Sequence, residues 1–371
     1  MNNNKHKIKS KQKSVDNKKR KIKIVKKLNS TKRTKKVKIY NLPKQKLFLE
    51  KVKQVLPPYL NLSGLLMEVL NISSDAAYRR IRCETEMSID EVIRICEYLN
   101  LSLDGLLILG SEMATFKYIS ITNNTEKFDV YLKNILNNLD YLIPQNDVML
   151  YYAAEEIPIF ETLFNEHLVS FKMYYWMRNI LSIQELQHHK FDFEIIPEHL
   201  MKIGNNIYKK YKQIPSTEIW TNETILTFIK QIEFCLETGL FKRKEDALKI
   251  IDAHFEMIDE LRRMAEMSFK PNLPNIPFHL YRCDVMIGTN CIVVEKNQKP
   301  ILSFISFNTL NSLSTSNEIF CREANLWVKN LIKKSTLLSG TSEKERFKFF
   351  NEMIKKSEYI RQKAIDAVYF E

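Results

Sequence analysis

From Ser73 to Arg82 the chain reads Ser-Ser-Asp-Ala-Ala-Tyr-Arg-Arg-Ile-Arg. Wound as a helix, this segment sets Ser74, Asp75, Tyr78, Arg79 and Arg82 on the side opposite Ala77 and Ile81. The outward set matches the chemistry of a major groove: Arg bonds guanine bidentately, Asp accepts from cytosine, and Ser contacts either. Ser73, just ahead of the run, is a strong helix N-cap.

No comparable set points to catalysis. His188, His189, His199 and His254 stand near no Ser or Cys pattern of a nucleophile elbow, and no GxxxxGK or GxGxxG loop is present for a nucleotide phosphate. Glu185 and His188 form one Glu-x-x-His, whereas a di-iron bundle needs two such motifs and further carboxylates, so they read as surface. His279, Cys283, Cys291 and Cys321 fit no standard zinc spacing and read as buried strand residues. Phe160, Phe164, Phe171, Tyr174, Tyr175 and Trp176 read as core rather than as a ligand pocket. The expectation is a protein that is not an enzyme and holds no metal or cofactor.

The elements that must position the polar flank are legible around it. Leu66, Met67 and Leu70 are expected on the inner face of a short preceding helix, which Asn71 ends by accepting a left-handed backbone. Ile72 plugs the turn, and the small Ala77 lets the two helices approach closely. A further helix, capped by Ser88 with Glu91 three residues on, packs Ile89, Val92, Ile93, Ile95, Cys96 and Leu99 behind them and ends at Asn100. Leu101 to Leu107 adds a last turn or two. Upstream, Leu47, Phe48, Val52, Val55 and Leu56 mark an amphipathic helix stopped by Pro57 and Pro58.

With these residues in view, Ser63 to Leu107 resembles the lambda-repressor-like, or Xre-type, helix-turn-helix family. Leu70-Asn-Ile-Ser-Ser-Asp-Ala-Ala-Tyr-Arg-Arg-Ile81, followed by Ser88-Ile-Asp-Glu-Val-Ile-Arg-Ile-Cys-Glu-Tyr-Leu-Asn-Leu-Ser-Leu-Asp104, is similar to its turn, recognition helix and closing helices. The resemblance implies a five-helix DNA-binding domain in which Ser74, Asp75 and Arg79 match base readers and Ser63 matches a backbone contact. Tyr78 and Arg82 join them on geometric grounds. The expected contact set is Ser63, Ser73, Ser74, Asp75, Tyr78, Arg79, Arg80 and Arg82. Two positions depart from the family: Asn71 stands where glycine is usual, and Arg80 stands where the apolar anchor is usual. Nothing carries over past Gly110.

Charge is unevenly spread along the 371 residues. Of 57 Lys and Arg and 44 Asp and Glu, residues 1–40 hold 17 and one, leaving 40 bases and 43 acids in the rest. The formal net charge of +13 is therefore a property of the start of the chain, a segment too poor in apolar residues to fold and expected to be disordered. Six scattered cysteines without CxxC pairs read as reduced and buried. The lysine-rich start leads into no apolar stretch, and no run of about 18 apolar residues follows, so a cytoplasmic, membrane-free chain is expected.

With 7 glycines and 11 prolines, the chain has few breakers, and the expected fold class is mainly α. Three parts are expected: a disordered basic tail over 1–40, the helix-turn-helix domain over 44–110, and a mainly helical oligomerisation or sensor domain over 115–371. In the last, Phe278–Ile287, Cys291–Glu295 and Pro300–Phe307 predict a small antiparallel β meander, about 278–307. Helices from about 316 to 334 and from a Ser342/Glu345 capping box close the chain. The expected activity is that of a transcriptional regulator binding double-stranded DNA, as a homodimer because one such domain buries little surface on DNA. An unknown effector at the C-terminal domain is a possible further partner. The rival expectation is a helical scaffold or ligand sensor whose N-terminal domain contacts a protein.

Overall fold

The computed structural model describes residues 44–56, 60–99, 101, 103, 113–121, 124–271 and 276–367. The expected disordered tail over 1–40, the Pro57-Pro58 stop and most of the expected closing turn over 101–107 lie outside them. Contacts divide the chain into two compact units, Met1–Met113 and Ala114–Glu371. Among the described residues no helix is long and apolar enough to cross a membrane.

The N-terminal unit contains α1 (Lys44–Val55), α2 (Leu62–Leu70), α3 (Ser74–Ile81) and α4 (Ile89–Tyr98). Their shared core is Phe48, Leu49, Val52, Leu65, Leu66, Leu70, Ala77, Ile95 and Cys96. Burying a leucine is worth about 1.5–3 kcal/mol, so this apolar seam holds the helices together. The inner face of α2 is Leu65, Leu66 and Leu70; Met67, expected there, is exposed. A helix turns by about 100° per residue, so the inward stripe takes Leu65 beside Leu66 and carries Met67 out of it.

The C-terminal unit is mixed α/β, which corrects the expectation of a mainly α chain. A seven-stranded sheet runs in the order β6-β5-β4-β1-β2-β3-β7. Its strands are β1 (Val148–Ala153), β2 (Ser216–Trp220), β3 (Phe278–Arg282), β4 (Cys291–Lys296), β5 (Lys299–Phe307), β6 (Asn311–Thr315) and β7 (Thr336–Leu337). β1, β2 and β3 are parallel, while β4, β5 and β6 continue antiparallel from the other side of β1. The helices are α5 (Thr125–Leu142), α6 (Glu166–Tyr175), α7 (Glu198–Tyr211), α8 (Leu226–Glu237), α9 (Lys244–Met267), α10 (Glu318–Lys333) and α11 (Glu343–Asp366). Each parallel step is made through a helix pair, α6 and α7 between β1 and β2, α8 and α9 between β2 and β3.

Two cores sandwich the sheet. Leu150, Tyr152, Trp220 and Leu280 face the large core shared with α5 to α9 and α11. Tyr151, Ala153, Ile219 and Val293 turn the other way, toward Val328 and Leu331 of α10. Strands covered on both faces need no polar alternation: Val-Met-Leu-Tyr-Tyr-Ala is apolar nearly throughout and Ser-Thr-Glu-Ile-Trp runs from polar to apolar, so neither carries the period-two signature of a half-exposed strand.

The expected meander is partly redrawn. β4 and β5 do form a hairpin, with Asn297 and Gln298 at φ +50° and +61° in its turn. Phe278–Arg282, however, pairs with β2 and β7 rather than with β4, because the residues beyond Arg282 lead away to the far side of β1. The expected capping box at Ser342 does not form: the Ser342 side chain caps nothing, and Glu345 turns toward Arg282. Phe160, Phe171, Tyr174 and Trp176 are buried, with Phe164 and Tyr175 packed against the same core.

One packing contact in this unit depends on a missing side chain. A Cβ at Gly204 of α7 would lie 2.7 Å from Cγ1 of Val169 in α6. Gly204→Ala should therefore destabilise the unit by about 1–3 kcal/mol despite alanine's better helix propensity. A thermal melt with an unchanged or raised midpoint would contradict this close approach.

Candidate functional site

The helix-turn-helix is built by local rules that its residues satisfy. Asn61 caps α2, its side chain accepting from Gly64 N at 2.7 Å, and Ser63 Oγ donates to the same oxygen at 2.8 Å. Asn71 ends α2 at φ +54°, ψ +51°, so the left-handed corner needs no glycine here. Ser73 caps α3, its Oγ accepting from Ala76 N at 3.3 Å. Ser88 and Glu91 form the expected capping box of α4. Ala77 is fully buried, and the half-buried Ile81 packs on the same core.

The outward flank of α3 is open. Ser74, Asp75, Tyr78, Arg79 and Arg82 are all exposed, as is Ser73, while Ser63 is half-buried. Arg79 lies 3.1 Å from Asp75, one turn back. Arg82 donates to both oxygens of Glu84 at 2.7 and 2.8 Å, and these bonds hold the Glu84 carboxyl below its usual range and push the Arg82 guanidinium up. Such surface pairs are weak and screened by salt, so both guanidiniums are available for exchange to a phosphate or a base.

Arg80 differs from its neighbours. It folds back to Glu91 of α4, so it is largely withdrawn from the flank on which Arg79 and Arg82 sit. The hydrogen bond from Arg80, opposed by partial burial, holds the Glu91 carboxyl below its usual range. Gln45 of α1, upstream of Ser63–Leu107, reaches the same corner and was not legible as part of it: its partners lie 35 to 42 residues away.

The C-terminal unit contains a buried group of charges that composition does not reveal. Glu161, in the tight turn Glu161–Leu163 after β1, is fully buried, and neither of its oxygens has a hydrogen-bond partner. Around it stand Glu218 of β2, Lys212 at the C-cap of α7, Lys270 beyond α9, and Glu260 of α9. Each neighbour has partners of its own. Glu218 accepts from the hydroxyl of Tyr211 and, at 2.7 Å, from Trp220 Nε1. Lys212 pairs with Glu260 at 2.8 Å. Lys270 donates to the carbonyls of Tyr211 and Ile214 at 2.9 and 2.6 Å and lies over the Tyr211 ring. Glu161 is thus the carboxyl left without a donor, and burial, reinforced by the charge of Glu218, pushes it up to about 8.

The histidine and cysteine candidates are not assembled. Glu185 and His188 are exposed, His279 is half-buried, and Cys283, Cys291 and Cys321 are buried free thiols. No group of three or more His, Cys, Asp or Glu able to hold a metal occurs among the described residues.

A raised carboxyl fixes the sign of a pH effect. The folded unit keeps a proton on Glu161 that the unfolded chain releases near 4.5, so this group's contribution to stability falls as pH rises from there to about 8. Glu161→Gln should flatten the melting profile between about pH 5 and pH 9 and leave the variant more stable than the parent at the alkaline end. Parallel profiles for the two proteins would sink the assignment. No family model, curated protein or solved structure matches the chain.

Proposed function

We propose that this protein is a sequence-specific regulator of transcription that binds double-stranded DNA, with α3 entering the major groove. The observation that carries the reading is the exposed flank of Ser74, Asp75, Tyr78, Arg79 and Arg82 on a helix moored from behind by Ala77 and launched from the left-handed Asn71. Its donors and acceptors suit base edges, and Ser63 at the start of α2, with the N-cap Ser73, would contact the phosphate backbone.

Phosphate attraction has to come largely from elsewhere. Arg79, Arg80 and Arg82 are matched one for one by Asp75, Glu91 and Glu84, so this surface carries little net positive charge even where a guanidinium can exchange partners. Residues 1–40, with 17 bases and one acid, supply the charge that the remainder lacks. Two copies on paired half-sites would give the specificity that one small domain cannot, and the C-terminal unit is the part available for self-association and for an effector.

A second reading, in which this unit meets a protein, is favoured by Ile89 at the start of α4, which was expected in the core and is instead 74 % exposed. Selection from a randomised duplex pool with the full chain separates the two, since a protein-binding module enriches no motif. With an enriched duplex in hand, Arg79→Ala should lose about 1–3 kcal/mol at one base pair and relax selectivity there. Removing residues 1–40 should weaken enriched and unrelated duplexes alike and flatten the dependence of affinity on salt. An unchanged base preference in the first variant, or an unchanged salt slope in the second, would contradict the role given to each.

A further inference from the structure

Two polar contacts tie the C-terminal half of α3 to the helices behind it, and they meet at Arg80. On one side, its guanidinium binds Glu91 of α4 through two bonds, Nε to Oε2 at 3.2 Å and Nη2 to Oε1 at 2.7 Å, while Nη1 reaches back to Ala76 O at 3.3 Å. On the other, its carbonyl accepts from Gln45 Nε2 of α1 at 2.8 Å. The same amide nitrogen donates to Thr85 O at 2.9 Å, and Gln45 Oε1 accepts from Met87 N at 2.8 Å. Gln45 therefore staples the end of α3 and the segment that follows it to α1. Glu91 is itself fixed, because its carboxylate also receives Ser88 N at the cap of α4.

The apolar seam alone leaves one freedom open. Behind α3 stand the fully buried methyl of Ala77 and a half-buried Ile81, a narrow contact about which an eight-residue helix can roll. Hydrogen bonds, and bidentate charged ones above all, are directional and resist that roll. Gln45, Arg80 and Glu91 are each half-buried, so water competes less for their bonds than for those of Arg79 and Arg82.

We infer that Gln45 and Arg80 are positioning residues: with Glu91 they set the rotation of α3 about its axis, and so which bases its outward flank meets, without contacting DNA themselves. This rests on the DNA-binding reading. Base readout demands placement to within a fraction of an ångström and some 10–20°, whereas phosphate attraction does not. Loosening the device should therefore cost discrimination and leave non-specific binding in place.

The test uses the full-length protein, a duplex enriched by the parent, and an unrelated duplex of the same length at the same salt. Gln45→Met keeps the side chain's shape and removes its three hydrogen bonds. It should lower affinity for the enriched duplex about tenfold while affinity for the unrelated one stays within about twofold. Glu91→Gln, a milder change that keeps an acceptor toward Arg80, should shift the ratio in the same direction by less. Should Gln45→Met fail to fold, Glu91→Gln carries the comparison. An unchanged ratio, or equal losses on both duplexes accompanied only by a lower melting temperature, would overturn the positioning role. A parent that enriches no duplex overturns the DNA-binding reading and this role with it, whereas normal enrichment with an unchanged ratio removes this role alone.

Discussion

The approach of α2 to α3 depends on two backbone-level permissions, a side chain no larger than a methyl at Ala77 and a left-handed corner at Asn71. With both granted, the short α3 can turn its polar residues outward while Leu65, Leu66 and Leu70 close behind it. A larger residue at position 77 would push the helices apart, and the flank would lose its backing. That contact also sorts Arg79, Arg80 and Arg82: Arg79 and Arg82 lie on the exposed flank, and Arg80 is withdrawn toward Glu91.

Arg80 illustrates how a charged residue is absorbed at the edge of an apolar seam. An apolar anchor at this position would add to the seam by contact area alone. The arginine found here is accommodated by a carboxylate on α4 and by an amide on α1. Glu91 serves both the cap of its own helix and the guanidinium across the gap, so one side chain links local helix formation to tertiary packing.

Legibility from sequence tracked the range of the interactions. The caps at Ser73 and Ser88, the corner at Asn71 and the buried Ala77 arise within a few residues and were readable there. Gln45 was not, since its partners are remote in the chain. In the C-terminal unit the same limit was more severe. β1 and β2 are buried on both faces and carry no alternation, and their pairing joins residues such as Leu150 and Ser216 that are far apart. A helix-poor signal was therefore hidden inside a helix-rich composition, and the fold class inferred from it was wrong. Glu161 and Lys270 were likewise indistinguishable from surface charges, because only the tertiary structure removes them from water.

The margins of the sheet are guarded against a foreign strand. At one end, Lys117 pairs through its backbone with Ser314 of β6, at 2.7 and 2.9 Å, and Thr115 accepts from Thr315, so the outermost strand already has a neighbour. At the other, β7 offers only Thr336 and Leu337. A ladder needs a run of open amides and carbonyls to recruit a foreign strand, and among the described residues neither margin offers a long one. Addition of a foreign strand at either end of the sheet is thereby disfavoured, which guards against runaway fibre growth.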